Sequence, residues 1–369
     1  MNTFLKAAIC LFSLTIGLSQ FIHADELIYS KSELKQLGYK KVSIHTQPIR
    51  HFMSTDNNNL LEEKLIWPIQ FQDESHSLGN NMSQFQNYGG SQSYFHGGCD
   101  LRTKQNAPIY APISGKVEAF YYSYNQRDDG SLEKFKKPNG GDPHYFEVSI
   151  ITPDGHRFEI HHIDPNTLTP ELASSLKSND PHVTQNQLLG NVVYWPVSGV
   201  DGQNYHHIHF NMIAPDGTIL NPEAYEPLIN DTIAPHIEKV FAKTTQSKQA
   251  IVLTSGQSLP AGTTELLVLG WDQKNNSVYT QAPSKVALLF QNGANSIWDF
   301  TRHLNLNNGQ FPNIHNVFAD QVKANDGNTY QTKGNYEENQ FIYRLVVPAD
   351  ASGPFQIHLG DAAGNDTTF

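Results

Sequence analysis

Seventeen histidines in 369 residues is a large number, and three clusters contain residues that could do chemistry together: His96-Gly97-Gly98-Cys99-Asp100, His161-His162 and His206-His207-Ile208-His209. Successive side chains of a β-strand point to opposite faces, so a strand through the third cluster sends His207 and His209 one way and His206 and Ile208 the other. Two imidazoles on one face, joined by a further histidine and a carboxylate, are donor types that zinc prefers, and three protein donors leave a fourth position open for water. His96 and Asp100 supply the additional pair in this reading, and the glycines between them suit a close approach of backbone to metal. A zinc ion held by two histidines and a carboxylate still acidifies water and polarises a carbonyl. Taken singly, each cluster is more simply an exposed or capping pair. Their joint occurrence within one stretch of short strands is what points to a metal centre.

The elements that must position these residues are strands and turns. Residues 109–119 read as strand, Ser-Gly turn and strand, while 145–151 and 156–163 flank Pro153-Asp154-Gly155, a strong hairpin signal. The stretch 205–213 alternates and then meets a second Pro-Asp-Gly at 215–217, so an antiparallel sheet is expected. A linker is expected at 230–235, followed by strands at 237–242, 250–253, 265–271, 285–290, 341–347 and 355–359. Short strands separated by Gly, Pro and Asn suggest a β-sandwich. The tract 133–137 (EKFKK) is weakly basic and reads as a solvated loop.

Bulk properties bound the possibilities. The length predicts two domains. A net charge of −11 argues against nucleic acid as a partner, because phosphate binding rests on clustered Lys and Arg. Lys6, the apolar run 7–18 and the small residue Ala24 read as a secretory leader, residues 1–24, too short in its apolar part to span a membrane. Its removal leaves Cys99 as the single cysteine, so no intramolecular disulfide is expected. Residues 25–66 read as a polar arm with a short helix at 32–37 and an Asn-rich loop at 57–59, and the first domain starts near Trp67-Pro68.

At this point a resemblance becomes specific. His96 to Asp100, followed by Ala107-Pro108-Ile109-Tyr110-Ala111-Pro112 with Gly115 and Val117, resembles the opening of lysostaphin/LytM-type zinc metallopeptidases, with the family's H-x-G-x-D met in full. Ile160-His161-His162-Ile163 is similar to the family's Y-x-H-L, with Ile in place of both Tyr and Leu. Gln187-Leu188-Leu189-Gly190 resembles its G-Q-x-I-G stretch, His207-Ile208-His209-Phe210 its H-x-H-F signature, and Asn221-Pro222 with Tyr225 its exit. The resemblance covers about 67–225 in the right order, and the closing segment 361–365 is similar to that of bacterial immunoglobulin-like domains.

The resemblance implies a mainly β chain: an antiparallel β-sheet metallopeptidase domain with a groove at 67–229, followed by an immunoglobulin-like β-sandwich at 230–369. It makes His96, Asp100 and His209 ligands of one Zn²⁺ per chain. His162 and His207 become the catalytic pair that orients a zinc-activated water, moves its proton or stabilises the oxyanion. The expected activity is that of a zinc endopeptidase on peptide cross-links or stems of bacterial peptidoglycan. Its expected location is the periplasm, the cell surface or the outside, with the C-terminal domain binding wall or another protein.

Alternation places His161 and His206 away from the metal, in surface or packing roles. Cys99 reads as a small buried thiol, and His144, His156 and His182 as loop or groove-rim residues. The tract 121–142 is longer and more polar than the family's connection, and Trp195-Pro196-Val197-Ser198 replaces a glycine-rich turn, so specificity lies in these loops. Two other readings compete: a non-catalytic regulator of wall hydrolases on the same fold, and a secreted peptidase acting on Gly-rich proteins. Relatives of the first kind typically lack one or more of the ligands, whereas all five residues are present here.

Overall fold

Alternation of side-chain character builds the sheet that carries the histidines. Six strands, β1 (Cys99–Arg102), β2 (Gly115–Gln126), β3 (Leu132–Lys137), β4 (Phe146–Ile151), β5 (Arg157–His161) and β6 (His207–Ile213), lie antiparallel in the order β3-β2-β4-β5-β6-β1. The computed structural model describes residues 40–41, 65–69, 78–87, 92–126, 132–137, 140–225, 231–275, 277–304, 313–335 and 339–369. The expected leader, the helix at 32–37, the loop at 57–59 and most of the arm lie outside the described residues. Between β4 and β5 the chain turns at Gly155, whose φ of +92° is open to glycine at no steric cost.

Cross-strand partners share a face. The register sets Val148 opposite Ile160, Ile150 opposite Phe158 and Phe210 opposite Ile160. These residues, with Leu101, Ile208 and Met212, form a buried apolar layer. The residues between them, Glu147, Ser149, Glu159, His161, His207, His209 and Asn211, fall on the opposite face with Asp100.

Residues 133–137 are not the solvated loop expected of them: they belong to strand β3, paired with β2 in the register Tyr124↔Lys134. Alternation turns Lys134 onto the polar face, where its ammonium lies 2.7 Å from Glu147 and 2.5 Å from Glu159 with the side chain 6% exposed. A cation that meets two buried carboxylates is held by them rather than by water.

The second half contains β7 (His236–Thr244), β8 (Thr263–Gln273), β9 (Lys285–Phe290), β10 (Asn295–Asp299), β11 (Asn339–Val346) and β12 (Phe355–Gly360). Strand β8 pairs with β7 and β11 in a six-stranded sheet, and β9 pairs with β10 and β12 in a four-stranded one. Val240, Val268 and Tyr343 of the first sheet and Val286, Leu288 and Ile357 of the second belong to one buried cluster. The chain is therefore mainly antiparallel β, as expected. Strand β10 was not anticipated; its mixture of exposed and half-buried residues gives no clean alternation.

That cluster also takes in Leu101, Ile160 and Phe210 of the first sheet. Phe85 meets Phe318 edge-on at 5.5 Å and Phe95 lies 6.2 Å from Phe300, so aromatic rings join the two halves. Where they meet, Lys274 is buried 3.1 Å from both Asp231 and Asp272 and 3.4 Å from Glu223. Burial pushes the Asp272 carboxyl up to about 7 despite Lys274, with Asp361 and Asp231 adding to the rise. Among the described residues no helix is long and apolar enough to cross a membrane.

Candidate metal centre

The pairing of β1 with β6 sets His209 opposite Asp100 and His207 opposite Arg102, which fixes the carboxylate and both imidazoles on one face. Gly98 makes that pairing possible, since a Cβ there would stand 2.3 Å from the Phe210 carbonyl oxygen. The glycine thus serves strand-to-strand approach rather than approach to a metal. His96, just ahead of β1, arrives at the same point: His96 Nε2 and His209 Nδ1 each lie 3.0 Å from Asp100 Oδ1. The two rings meet edge-on with centroids 4.5 Å apart.

The tautomer of His96 shows what this arrangement needs. His96 Nδ1 donates to the Asn81 carbonyl at 2.9 Å. A carbonyl only accepts, so Nδ1 carries the hydrogen and Nε2 faces a carboxylate oxygen. With Nε2 in its neutral form two acceptors meet, and a cation between them makes the contact favourable. Asp100 Oδ2 is separately satisfied by Asn80 Nδ2 at 2.7 Å and the Tyr205 hydroxyl at 3.3 Å.

Electrostatics set the same protonation states. Burial pushes the Asp100 carboxyl up, but the facing His96, His207 and His209 imidazoles outweigh it and hold it well below the usual range. Burial draws His209 down to about 4, reinforced by His96, and draws His207 to about 4 against the pull of Asp100. A carboxylate with neutral imidazoles is the form that binds a metal.

His162 and His207 stand beside this group. His162 has a left-handed φ of 65°, which swings its ring to 4.8 Å from His207 and 4.6 Å from Trp195. Its Nδ1 donates to the His144 carbonyl, and His207 Nδ1 donates to the Tyr205 carbonyl at 2.7 Å. Each ring therefore keeps Nε2 to take or give a proton, and His207 Nε2 lies 4.0 Å from Asp100 Oδ1. All five residues singled out in the sequence come together.

His161 departs from expectation. It is 1% exposed and its ring lies 5.0 Å from His209, on the site's own face. The reason is phase: β5 keeps its alternation through Glu159 and His161, and only the left-handed backbone at His162 breaks it. His161 Nε2 lies 3.4 Å from Glu147 and 3.5 Å from Glu159, the carboxylates that hold Lys134. The pattern Phe-Glu-Val-Ser and Phe-Glu-Ile-His, polar at every second position of strands otherwise apolar, was the signal for this layer.

The other neighbours lie nearer their expected places. His206 Nδ1 accepts from the Trp195 amide at 3.0 Å, away from Asp100. Cys99 is fully buried, and burial raises its thiol. His182 is exposed beside Asp180 and His156 is held by Asp154 in its turn. His144 packs edge-on against Trp195 at 4.9 Å while its carbonyl orients His162. Asn80, Asn81, Tyr205 and Trp195 gave no periodic signal that marked them.

Three groups of side chains among the described residues could hold a metal. In two of them a lysine ammonium already supplies the cation, Lys134 beside Glu147 and Glu159 and Lys274 beside Asp231 and Asp272. Among the described residues no lysine or arginine pairs with Asp100, so the third group, His96, Asp100 and His209, is the one whose donor set fits zinc. Only a small pocket lies over it, bordered by Gln86, Tyr94, Tyr122 and Tyr124. His96, Asp100, His162 and His207 are buried, and the His209 side chain keeps 14% exposure.

No family model and no curated protein matches the chain. Among solved structures, it is similar to a chain of the SpoIIQ–SpoIIIAH pore forming complex, at 18% identity over 44% of this chain and 90% of that one, with a TM-score of 0.28. It is also similar to Csd3 of Helicobacter pylori, at 17% identity over 44% of this chain and 34% of that one, TM-score 0.27. A zinc containing peptidase from Vibrio cholerae aligns at 14% identity over 41% of this chain and 36% of that one, TM-score 0.25. At TM-scores this low the functional reading rests on the geometry of the site itself.

Proposed function

We propose that the chain is a zinc-dependent endopeptidase of the lysostaphin/LytM type that hydrolyses cross-link or stem peptide bonds of bacterial peptidoglycan. The observation that carries this reading is the meeting of His96 Nε2 and His209 Nδ1 at 3.0 Å from Asp100 Oδ1, with two further imidazoles alongside. Zinc bound there would supply a Lewis acid that acidifies water and polarises the scissile carbonyl. His162 and His207, each with Nδ1 committed to a backbone carbonyl, present Nε2 to hold a proton, pass it to the leaving amine or donate to a developing oxyanion. Trp195 against His162 limits the ring's rotation.

Peptidoglycan as substrate rests on the resemblance of the motifs and on the expected leader, which also puts the protein in the periplasm, on the cell surface or outside. In this reading residues 67–229 are the zinc domain and 230–369 an immunoglobulin-like sandwich with a wall- or partner-binding role. One observation favours the regulator as a second reading: the site is nearly closed, so substrate reaches it only if the residues bordering the pocket move. Digestion of purified sacculi, with fragments identified by mass, separates the readings. The endopeptidase releases peptides with one hydrolysed bond, and His162→Ala does not. Zinc-loaded protein that cuts neither sacculi nor Gly-rich peptides is a regulator, and cleavage of Gly-rich peptides alone moves the substrate to ordinary proteins.

A further inference from the structure

Between the metal group and the C-terminal half runs the segment 78–86, buried throughout and largely without regular secondary structure. One face of it is bound to the metal group. Asn80 Nδ2 donates to Asp100 Oδ2 at 2.7 Å, the Asn81 carbonyl accepts from His96 Nδ1 at 2.9 Å, and the Asp100 amide donates to the Asn80 carbonyl at 2.8 Å. Its other face is bound to the C-terminal half. Gln281 Nε2 donates to the Leu78 carbonyl at 2.8 Å, Asn81 Nδ2 to the Ala282 carbonyl at 2.7 Å, and Asn339 Nδ2 to the Thr280 carbonyl at 2.8 Å and, at 3.5 Å, to Asn80 Oδ1. Asn81 is the pivot, since one residue holds the imidazole with its carbonyl and the C-terminal half with its amide.

We propose that the C-terminal half positions the metal ligands: Gln281, Ala282 and Asn339 fix the segment whose Asn80 and Asn81 orient Asp100 and His96. The proposal rests on reading His96, Asp100 and His209 as metal ligands. A liganding imidazole must have its distal N–H held, and a liganding carboxylate its second oxygen, if both are to point at one ion; loss of such partners typically weakens metal binding 10- to 100-fold. The C-terminal half is then a working part of the centre, whatever else it binds. Gln281, Asn339 and Asn81 are positioning residues and do not touch substrate.

The test measures zinc affinity of the full chain by competition with a chromophoric chelator, and the visible spectrum of the cobalt-substituted protein, for wild type, Asn81→Ala, Gln281→Met and Asn339→Ala. Leu288→Val, a change in the core of the C-terminal half away from the segment, is the control for a merely structural effect. The three polar variants are expected to bind zinc about 10- to 100-fold more weakly and to shift the cobalt bands. Leu288→Val is expected to lower the melting temperature and leave both readouts unchanged. Folded Gln281→Met and Asn339→Ala with wild-type affinity and cobalt spectrum would overturn the proposal, and these two decide it if Asn81→Ala does not fold. Equal weakening in Leu288→Val would also overturn it. Wild-type protein that binds no zinc refutes the metal-ligand reading instead.

Discussion

Asp100 is the residue around which the centre is organised. Its Oδ1 meets two imidazole nitrogens at 3.0 Å and a third at 4.0 Å, and its Oδ2 is held by Asn80 and Tyr205. The histidines divide accordingly. His96 and His209 aim nitrogens at that oxygen, while His162 contacts the rings of His207 and Trp195. His162→Ala should therefore keep its zinc and lose about 10²- to 10⁴-fold in kcat, as removal of a proton-transfer group does. Metal analysis beside steady-state kinetics checks this, and loss of zinc would make His162 a ligand instead. The pH response follows from the same burial. His209, drawn down to about 4, stays neutral until the pH falls to that region, so protons compete for it only there. Zinc should survive dialysis at pH 6 and be released towards pH 4, whereas release near 6.5 would mark solvent-exposed ligands.

At the scale of the element, strand alternation explains both what could be read and what could not. Strands β4, β5 and β6 were legible because apolar residues alternate with polar ones and Pro-Asp-Gly turns bound them, and this placed His207 and His209 on one face. Alternation alone puts His161 on the wrong face, because the break falls one residue later, at the left-handed His162, and a backbone angle leaves no trace in periodicity. The local sequence around Lys134 suggests solvation, because its partners Glu147 and Glu159 come from two other strands. Asn80 and Asn81 lie in a segment with no repeat, so their contacts are set by tertiary packing alone. The buried lysine carries its own test. Lys134→Met leaves two carboxylates buried without a cation, and Glu147 is already pushed up by burial and by Glu159. Urea unfolding should show a loss of about 3 to 5 kcal/mol, the usual cost of breaking a buried pair. A change below about 0.5 kcal/mol would be the signature of the exposed loop first expected.

For the whole molecule, the two halves share a core and a junction of like charges. Glu223, Asp231, Asp272 and Asp361 surround the Lys274 ammonium. Because the Asp272 carboxyl is raised from 3.8 to about 7 in the fold, its contribution to stability is fully present below the unfolded value and is lost as pH rises through about 7. Asp272→Asn should remove this loss, so that the variant gains on wild type between pH 6 and pH 8, by about 1 kcal/mol, the part of the loss that falls in that interval. Parallel unfolding curves at the two pH values check it, and an identical pH dependence in the variant would refute it. The proposed metal centre is tested most directly by one measurement on the full chain: bound zinc per chain after exhaustive dialysis, wild type against His209→Ala. The geometry of His96, Asp100 and His209 predicts one zinc in the wild type and none in the variant. No zinc in the wild type, or equal zinc in both, would contradict it.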